Sequence, residues 1–181
     1  MLPNRLMVVV LVGAAAASFT GVALAKGSSK VTVDIHMIDA NGVGADVGKL
    51  TLSDSKQGLR IQTALKGLPP GDHGFHMHDK GSCDPGEKDG KMAAGIAAGG
   101  HFDPDATGKH LGPEGSGHRG DLPVLHVGAN GKANVTLVAP HLHLADAHGH
   151  SFMIHAGGDN YSDQPEPLGG GGARIACGTV P

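Results

Sequence analysis

Residues 31–39 read VTVDIHMID. Val31, Val33, Ile35 and Met37 fall on alternate positions, so one face is apolar and the segment is a half-buried strand. Working outward, Asn41-Gly42 and Gly44 carry turn chemistry, and residues 47–55 form a second strand with Leu50 and Leu52 facing in. The chain turns at Ser55-Lys56-Gln57-Gly58, and Leu59, Ile61, Thr63 and Leu65 mark one side of a third strand. The run Gly67-Leu68-Pro69-Pro70-Gly71 ends it, and residues 73–78 are a fourth. Residues 121–127 and 132–138 read as a hairpin around Gly128-Ala129-Asn130-Gly131. Residues 151–156 and 173–180 complete eight strands, and residues 139–149 are a connection with room for a short helical turn. No long helix and no internal repeat is evident. The expected fold is all-β: an eight-stranded antiparallel Greek-key sandwich or flattened barrel with two long loops, 79–120 and 157–172.

Composition agrees. Among 181 residues there are 31 glycines, four phenylalanines, one tyrosine and no tryptophan. A core must therefore come from Val, Ile, Leu and Ala in short elements broken by turns. The formal net charge of −3, with no basic run, excludes a nucleic-acid partner. Upstream of the first strand, a basic start (Met1 to Arg5), an apolar run over 6–17 and Ala23-Leu24-Ala25 before Lys26 have the three parts of a secretory leader. The expectation is a cleaved signal peptide over 1–25 and a single domain over 26–181. The apolar run is short for a membrane span, so no stable membrane anchor is expected. In an exported chain, Cys83 and Cys177 read as one disulfide closing about 95 residues, worth roughly 4–5 kcal/mol in the chain-entropy model. The alternative reading is a pair of metal thiolates.

The first long loop would be implausible as bare chain. Its content rescues it: GFHMH at 74–78, GGHFDP at 99–104 and GKHLGPEGSGHRGD at 108–121. His76 and His78 are two apart on a strand and share a face, so both imidazoles can grip one ion. His155, on another strand, can supply a third nitrogen. His110, His118 and Asp121 suit a tetrahedral zinc that needs one more ligand. His101 lies between two incomplete sets, and an imidazole has two ring nitrogens.

These motifs, with the His155 strand and ARIACG at 173–178, resemble the copper/zinc superoxide dismutases over roughly residues 31–180. HGFHMHDKGSC and SDQPEPLGGGGARIACG are most similar to the bacterial secreted form, which implies the periplasm. The resemblance implies one copper per chain on His76, His78, His101 and His155. It implies one zinc on His101, His110, His118 and Asp121. Asp159 would link His76 to His110, Arg174 would attract the superoxide anion beside the copper, and Cys83–Cys177 would be the family disulfide. The implied reaction converts superoxide to oxygen and hydrogen peroxide. His101 would pass a proton to the departing peroxide. A homodimer and a monomer both occur in the family and stay open here.

Two other classes fit part of the pattern. A copper or zinc carrier would not need Arg174, Asp159 or a shared His101. A zinc hydrolase would need an open zinc position, which a four-ligand set denies. Seven histidines lie outside the motif: His36, His73, His126, His141, His143, His148 and His150. Surface or half-buried polar roles are expected, with the 141–150 group as a weaker candidate for metal capture. Lys80, Lys88 and Lys91 are candidates for a positive field at the site entrance. The glycines at 169–172 read as a linker or as a place of close backbone approach.

Overall fold

The computed structural model describes residues 29–181, and the expected leader lies outside them. Among these residues are eleven strands. They are β1 (Lys30–Asp39), β2 (Gly42–Ser55), β3 (Gly58–Leu65), β4 (Gly71–His73), β5 (Phe75–His78), β6 (Gly86–Lys88), β7 (Lys91–Ala93), β8 (Leu125–Val127), β9 (Thr136–Ala139), β10 (Ser151–His155) and β11 (Arg174–Thr179). Short 3-10 turns occupy Ile96–Ala98, Leu144–Ala147 and Pro167–Gly170. Seven strands form one antiparallel sheet in the order β5-β10-β11-β1-β2-β3-β9, curled into a half-barrel, and β4 pairs with β8. The all-β fold is as expected.

The alternation of the sequence becomes the core. Val33 and Ile35 of β1, Leu50 and Leu52 of β2, and Leu59, Ile61 and Leu65 of β3 are buried together with Phe75, Met77, Leu122, Leu125 and Phe152. Each such side chain, fully buried, contributes about 1.5–3 kcal/mol.

Four expectations need correction. The strand over 73–78 is broken at Gly74, whose N–H donates to the carbonyl of Gly157. The break lets β4 join β8 while β5 joins β10. The segments around Gly128–Gly131 turn tightly but do not pair with each other: β9 pairs with β3. The first long loop is not free of regular structure, because β6 and β7 form a hairpin within it. Its signal was Asp89-Gly90, a dipeptide suited to the left-handed turn that both residues adopt at φ 53° and 75°. Finally, β2 starts at Gly42, five residues earlier than expected.

Candidate metal centre

All four residues of β5 are buried. Phe75 and Met77 face the core, so the strand's alternation sends His76 and His78 to the opposite face. The first long loop folds back over that face. The N–H of Met77 donates to Gly120, and the N–H groups of Phe102 and Gly120 donate to Met77 and Phe102, each at 2.9 Å. Only glycine fits at 120: a Cβ there would lie 2.2 Å from the Met77 carbonyl oxygen. This return places His101 against His78 and Asp121 against His76.

Two donor sets result, both buried: His76, His78, His101 and His155, and then His101, His110, His118 and Asp121. Within each set the candidate atoms lie within 4.8 Å of one another. His101 is the member common to both. In the second set, Nδ1 of His101, His110 and His118 lie 3.0, 2.9 and 3.3 Å from Oδ1 of Asp121. A tetrahedral zinc with bonds of about 2.0–2.1 Å has donor–donor edges near ~3.3 Å, so these spacings fit such an ion. In the first set, Nδ1 of His76 and Nε2 of His78, His101 and His155 are buried without any hydrogen-bond partner. An unpaired buried polar atom costs about 1–3 kcal/mol, and four converging lone pairs are satisfied together by a cation.

The other ring nitrogens are all accounted for in the first set. His76 donates through Nε2 to Asp159 at 2.8 Å, and His110 donates through Nε2 to the other oxygen of Asp159 at 2.7 Å. His78 and His155 donate through Nδ1 to the carbonyls of Gly99 and Gly172 at 3.0 and 3.3 Å. Each bond selects the tautomer that leaves the facing nitrogen with a lone pair. The grouping of His76, His110 and Asp159 is thus a hydrogen-bonded bridge between the sets rather than a third ion site.

Electrostatics keep the first set ready for a metal. Burial pushes His76 down and holds His78 and His155 well below the usual histidine range. Burial, then the neighbouring His76, lowers His101 to about 3. His110 is the exception: burial opposes its charge, but bonds to Asp121 and Asp159 overcome burial and raise it to about 9. Burial likewise opposes the charged form of Asp121 and Asp159, yet their histidine partners hold both below the normal carboxylate range.

One side of the first set opens to a pocket of about 370 Å³, lined by His101, His155, Arg174, Lys88 and apolar residues including Ile96 and Leu168. None of His110, His118 and Asp121 lines it. Arg174 reaches the site through a register shift: Ile154 pairs with Ala176, but His155 pairs with Arg174, leaving Ile175 as a bulge. Its guanidinium donates to the carbonyls of Gly95 and, at 2.6 Å, Gly99. Two of its five N–H donors are thereby fixed, and the guanidinium makes no other hydrogen bond among the described residues. Cys83 and Cys177 form the disulfide, with Cα atoms 5.7 Å apart, tying that loop to β11.

His73 departs from the surface or half-buried role expected of it. It is buried, with Nδ1 2.6 Å from the carbonyl oxygen of His155 and Nε2 2.8 Å from that of Pro69. The sequence signal was only its place beside Gly74 in the motif. Of the lysine candidates, Lys88 lies on the pocket wall. The 141–150 histidines form no donor group among the described residues. His148 bonds the carbonyl of Pro181 and His150 that of His78, while His143 faces Asp54.

A curled antiparallel sheet with two adjoining buried donor sets, one open to an arginine-walled pocket, has the make-up of a protein that holds two metal ions within reach of a small anion. The family model for copper/zinc superoxide dismutase (SODC) matches residues 47–180. The Cu-Zn superoxide dismutase of Escherichia coli K12 is 52% identical over 149 residues, 82% of this chain and 86% of its own length. The solved Cu/Zn superoxide dismutase from Brucella abortus superposes with a TM-score of 0.83 at 52% identity, covering 84% of this chain and 100% of that one. The solution structure of the monomeric copper, zinc superoxide dismutase from Salmonella enterica gives 0.76 at 51%, covering 84% and 100%. The chain belongs to the copper/zinc superoxide dismutase family. It disproportionates superoxide to oxygen and hydrogen peroxide, with copper and zinc as cofactors.

Proposed function

We propose the following division of labour for this reaction. His76, His78, His101 and His155 hold copper, and His101, His110, His118 and Asp121 hold zinc. The observation that carries this reading is the set of four partnerless buried nitrogens converging from His76, His78, His101 and His155. Copper held there would supply reversible one-electron chemistry, the requirement for turning one superoxide into oxygen and a second, with two protons, into hydrogen peroxide. Zinc has no redox chemistry and holds the loop. Arg174 binds the incoming anion at the pocket wall, its guanidinium held by Gly95 and Gly99. Nε2 of His101 faces the copper set and, when free of the ion, would take a proton from solvent and hand it to the peroxide leaving through the same pocket. Asp159 holds the rings of His76 and His110.

We further propose that residues 1–25 are a cleaved leader, that 26–181 are the working domain, and that it acts in the periplasm. The disulfide supports an oxidising compartment. No described helix is long and apolar enough to cross a membrane. A homodimer is compatible with the site but not required by it, since every donor comes from one chain.

Reconstitution tests the assignment. The metal-free protein is expected to take up one copper and one zinc, and to remove superoxide only when copper is present. Arg174→Ala should retain both metals and lose at least about tenfold in second-order rate, the low end of the range for steered association. A metal-loaded wild type without activity would leave a carrier role standing. Lys88→Glu tests the field at the pocket mouth. Its rate should fall at low salt and approach wild type at high salt, where charges are screened. An unchanged low-salt rate would remove Lys88 from steering.

A further inference from the structure

We propose that Asp163 is a positioning residue: it latches the loop after β10 onto the main chain of His110 and so retains zinc. The proposal rests on the zinc assignment above.

One oxygen of Asp163 accepts from the N–H of His110 at 3.0 Å, and the other accepts from the N–H of Leu168 at 3.2 Å. A single carboxylate thus ties together segments 53 residues apart. Leu168 lies at φ 55°, in the left-handed region, followed by Gly169 at 72° and Gly170 at 76°. A side chain with a Cβ is disfavoured there, and the Asp163 bond to the Leu168 N–H helps hold that conformation. The bend lowers Gly169 directly onto the Asp159–His110 hydrogen bond. A Cβ on Gly169 would sit 2.0 Å from Asp159 Oδ1 and 2.8 Å from His110 Nε2. The bare backbone therefore covers that bond. The loop is closed on itself by Asn160 N–H to Gly169 at 3.1 Å and Gly169 N–H to Ser162 at 2.9 Å.

Asp159 orients the His110 ring, while Asp163 fixes the His110 main chain. His110 belongs to the zinc set alone. The loop also reaches the copper set through the Asp159–His76 bond, which Asp163 does not make, and further on at Gly171 and Gly172, which have their own ties. Gly157 N–H donates to Gly171 at 2.8 Å, and Ala156 N–H to Ala173 at 2.7 Å. Loss of the latch should therefore loosen zinc more than copper, because Asp163 touches His110 directly and His76 only through Asp159. Asp163 is only half-buried and is no metal donor, so its removal empties neither set and opens no cavity in the core.

The test is release of zinc and of copper from the loaded full-length protein into excess chromophoric chelator. The variants are Asp163→Ala, Asp163→Asn and, as a control, the exposed Glu166→Gln. Zinc release should be about tenfold faster in Asp163→Ala, the low end for loss of a group supporting a metal ligand. Asp163→Asn keeps an acceptor oxygen and should show a smaller change in the same direction, which also serves if the alanine variant folds poorly. Glu166→Gln should behave as wild type. Copper release should change much less than zinc release, and the melting temperature of the metal-free protein should not move. Zinc release indistinguishable from wild type in both Asp163 variants overturns the latch. So does parallel loosening of zinc and copper with lower metal-free melting, which is general destabilisation. A wild type that takes up no zinc overturns the zinc assignment itself.

Discussion

Asp159→Asn is expected to weaken zinc binding by roughly 10–100-fold, the usual cost of losing a carboxylate behind a metal ligand, and to slow superoxide removal. Asp159 accepts from the Nε2–H of both His76 and His110, and also from the N–H of Tyr161 at 2.8 Å. An asparagine keeps one acceptor oxygen and turns an NH₂ group toward one of the rings. Donor then faces donor at a buried position. That ring must rotate or move its proton to Nδ1, and either change removes a lone pair from a donor set. If His110 yields, zinc is lost; if His76 yields, the copper set is damaged. The charge matters as well, because a carboxylate bond to imidazole is stronger than an amide bond. Competition with a chromophoric zinc chelator measures the first effect, and pulsed superoxide decay measures the second. Wild-type affinity for both zinc and copper in the variant would show that Asp159 supports neither ring.

The second large effect concerns the disulfide. The paired substitution Cys83→Ser and Cys177→Ser should cost about 4–5 kcal/mol, because the bridge closes a long loop in the unfolded chain. In a domain of this size, that lowers the melting temperature of the metal-free protein by roughly 10–20 °C. Activity at 25 °C should also fall, in protein that is still folded. The segment held by Cys83 supplies the carbonyls of Gly95 and Gly99 that clamp Arg174, and Gly99 also receives Nδ1–H from His78. Cys177 lies three residues beyond Arg174 on β11. The bridge therefore fixes both halves of the clamp. Calorimetry and superoxide decay separate the two consequences. A folded variant with the full rate at 25 °C would mean that the carbonyl clamp holds without the bridge.

The pattern of residues 31–39 and of 59–65 was enough to place β1 and β3, because period-two alternation is a local property with a direct structural meaning. The metal donors were legible for a related reason. Histidine pairs in GFHMH and the His118-x-x-Asp121 spacing are short-range arrangements, and six such contexts in order carried the family resemblance. Strand partners were less accessible. The turn at Gly128–Gly131 looks like a hairpin locally, yet β8 and β9 have better partners in β4 and β3. Which strand completes a ladder depends on distant segments, not on the turn alone.

His73 and Asp163 stand furthest from what residue order can reveal. A lone histidine or aspartate in a polar, glycine-rich segment has no local feature that distinguishes a surface group from a tether. Their roles exist only because the carbonyl of His155 and the N–H of His110 arrive beside them from 82 and 53 residues away. The same division runs through the metal centre. The order of residues supplies all the donor types, the shared position of His101 and the paired cysteines. The folded chain alone decides which nitrogen of each ring faces an ion, because that choice is made by the acceptor on the ring's other side: Asp159, Gly99 or Gly172, each brought there by tertiary packing.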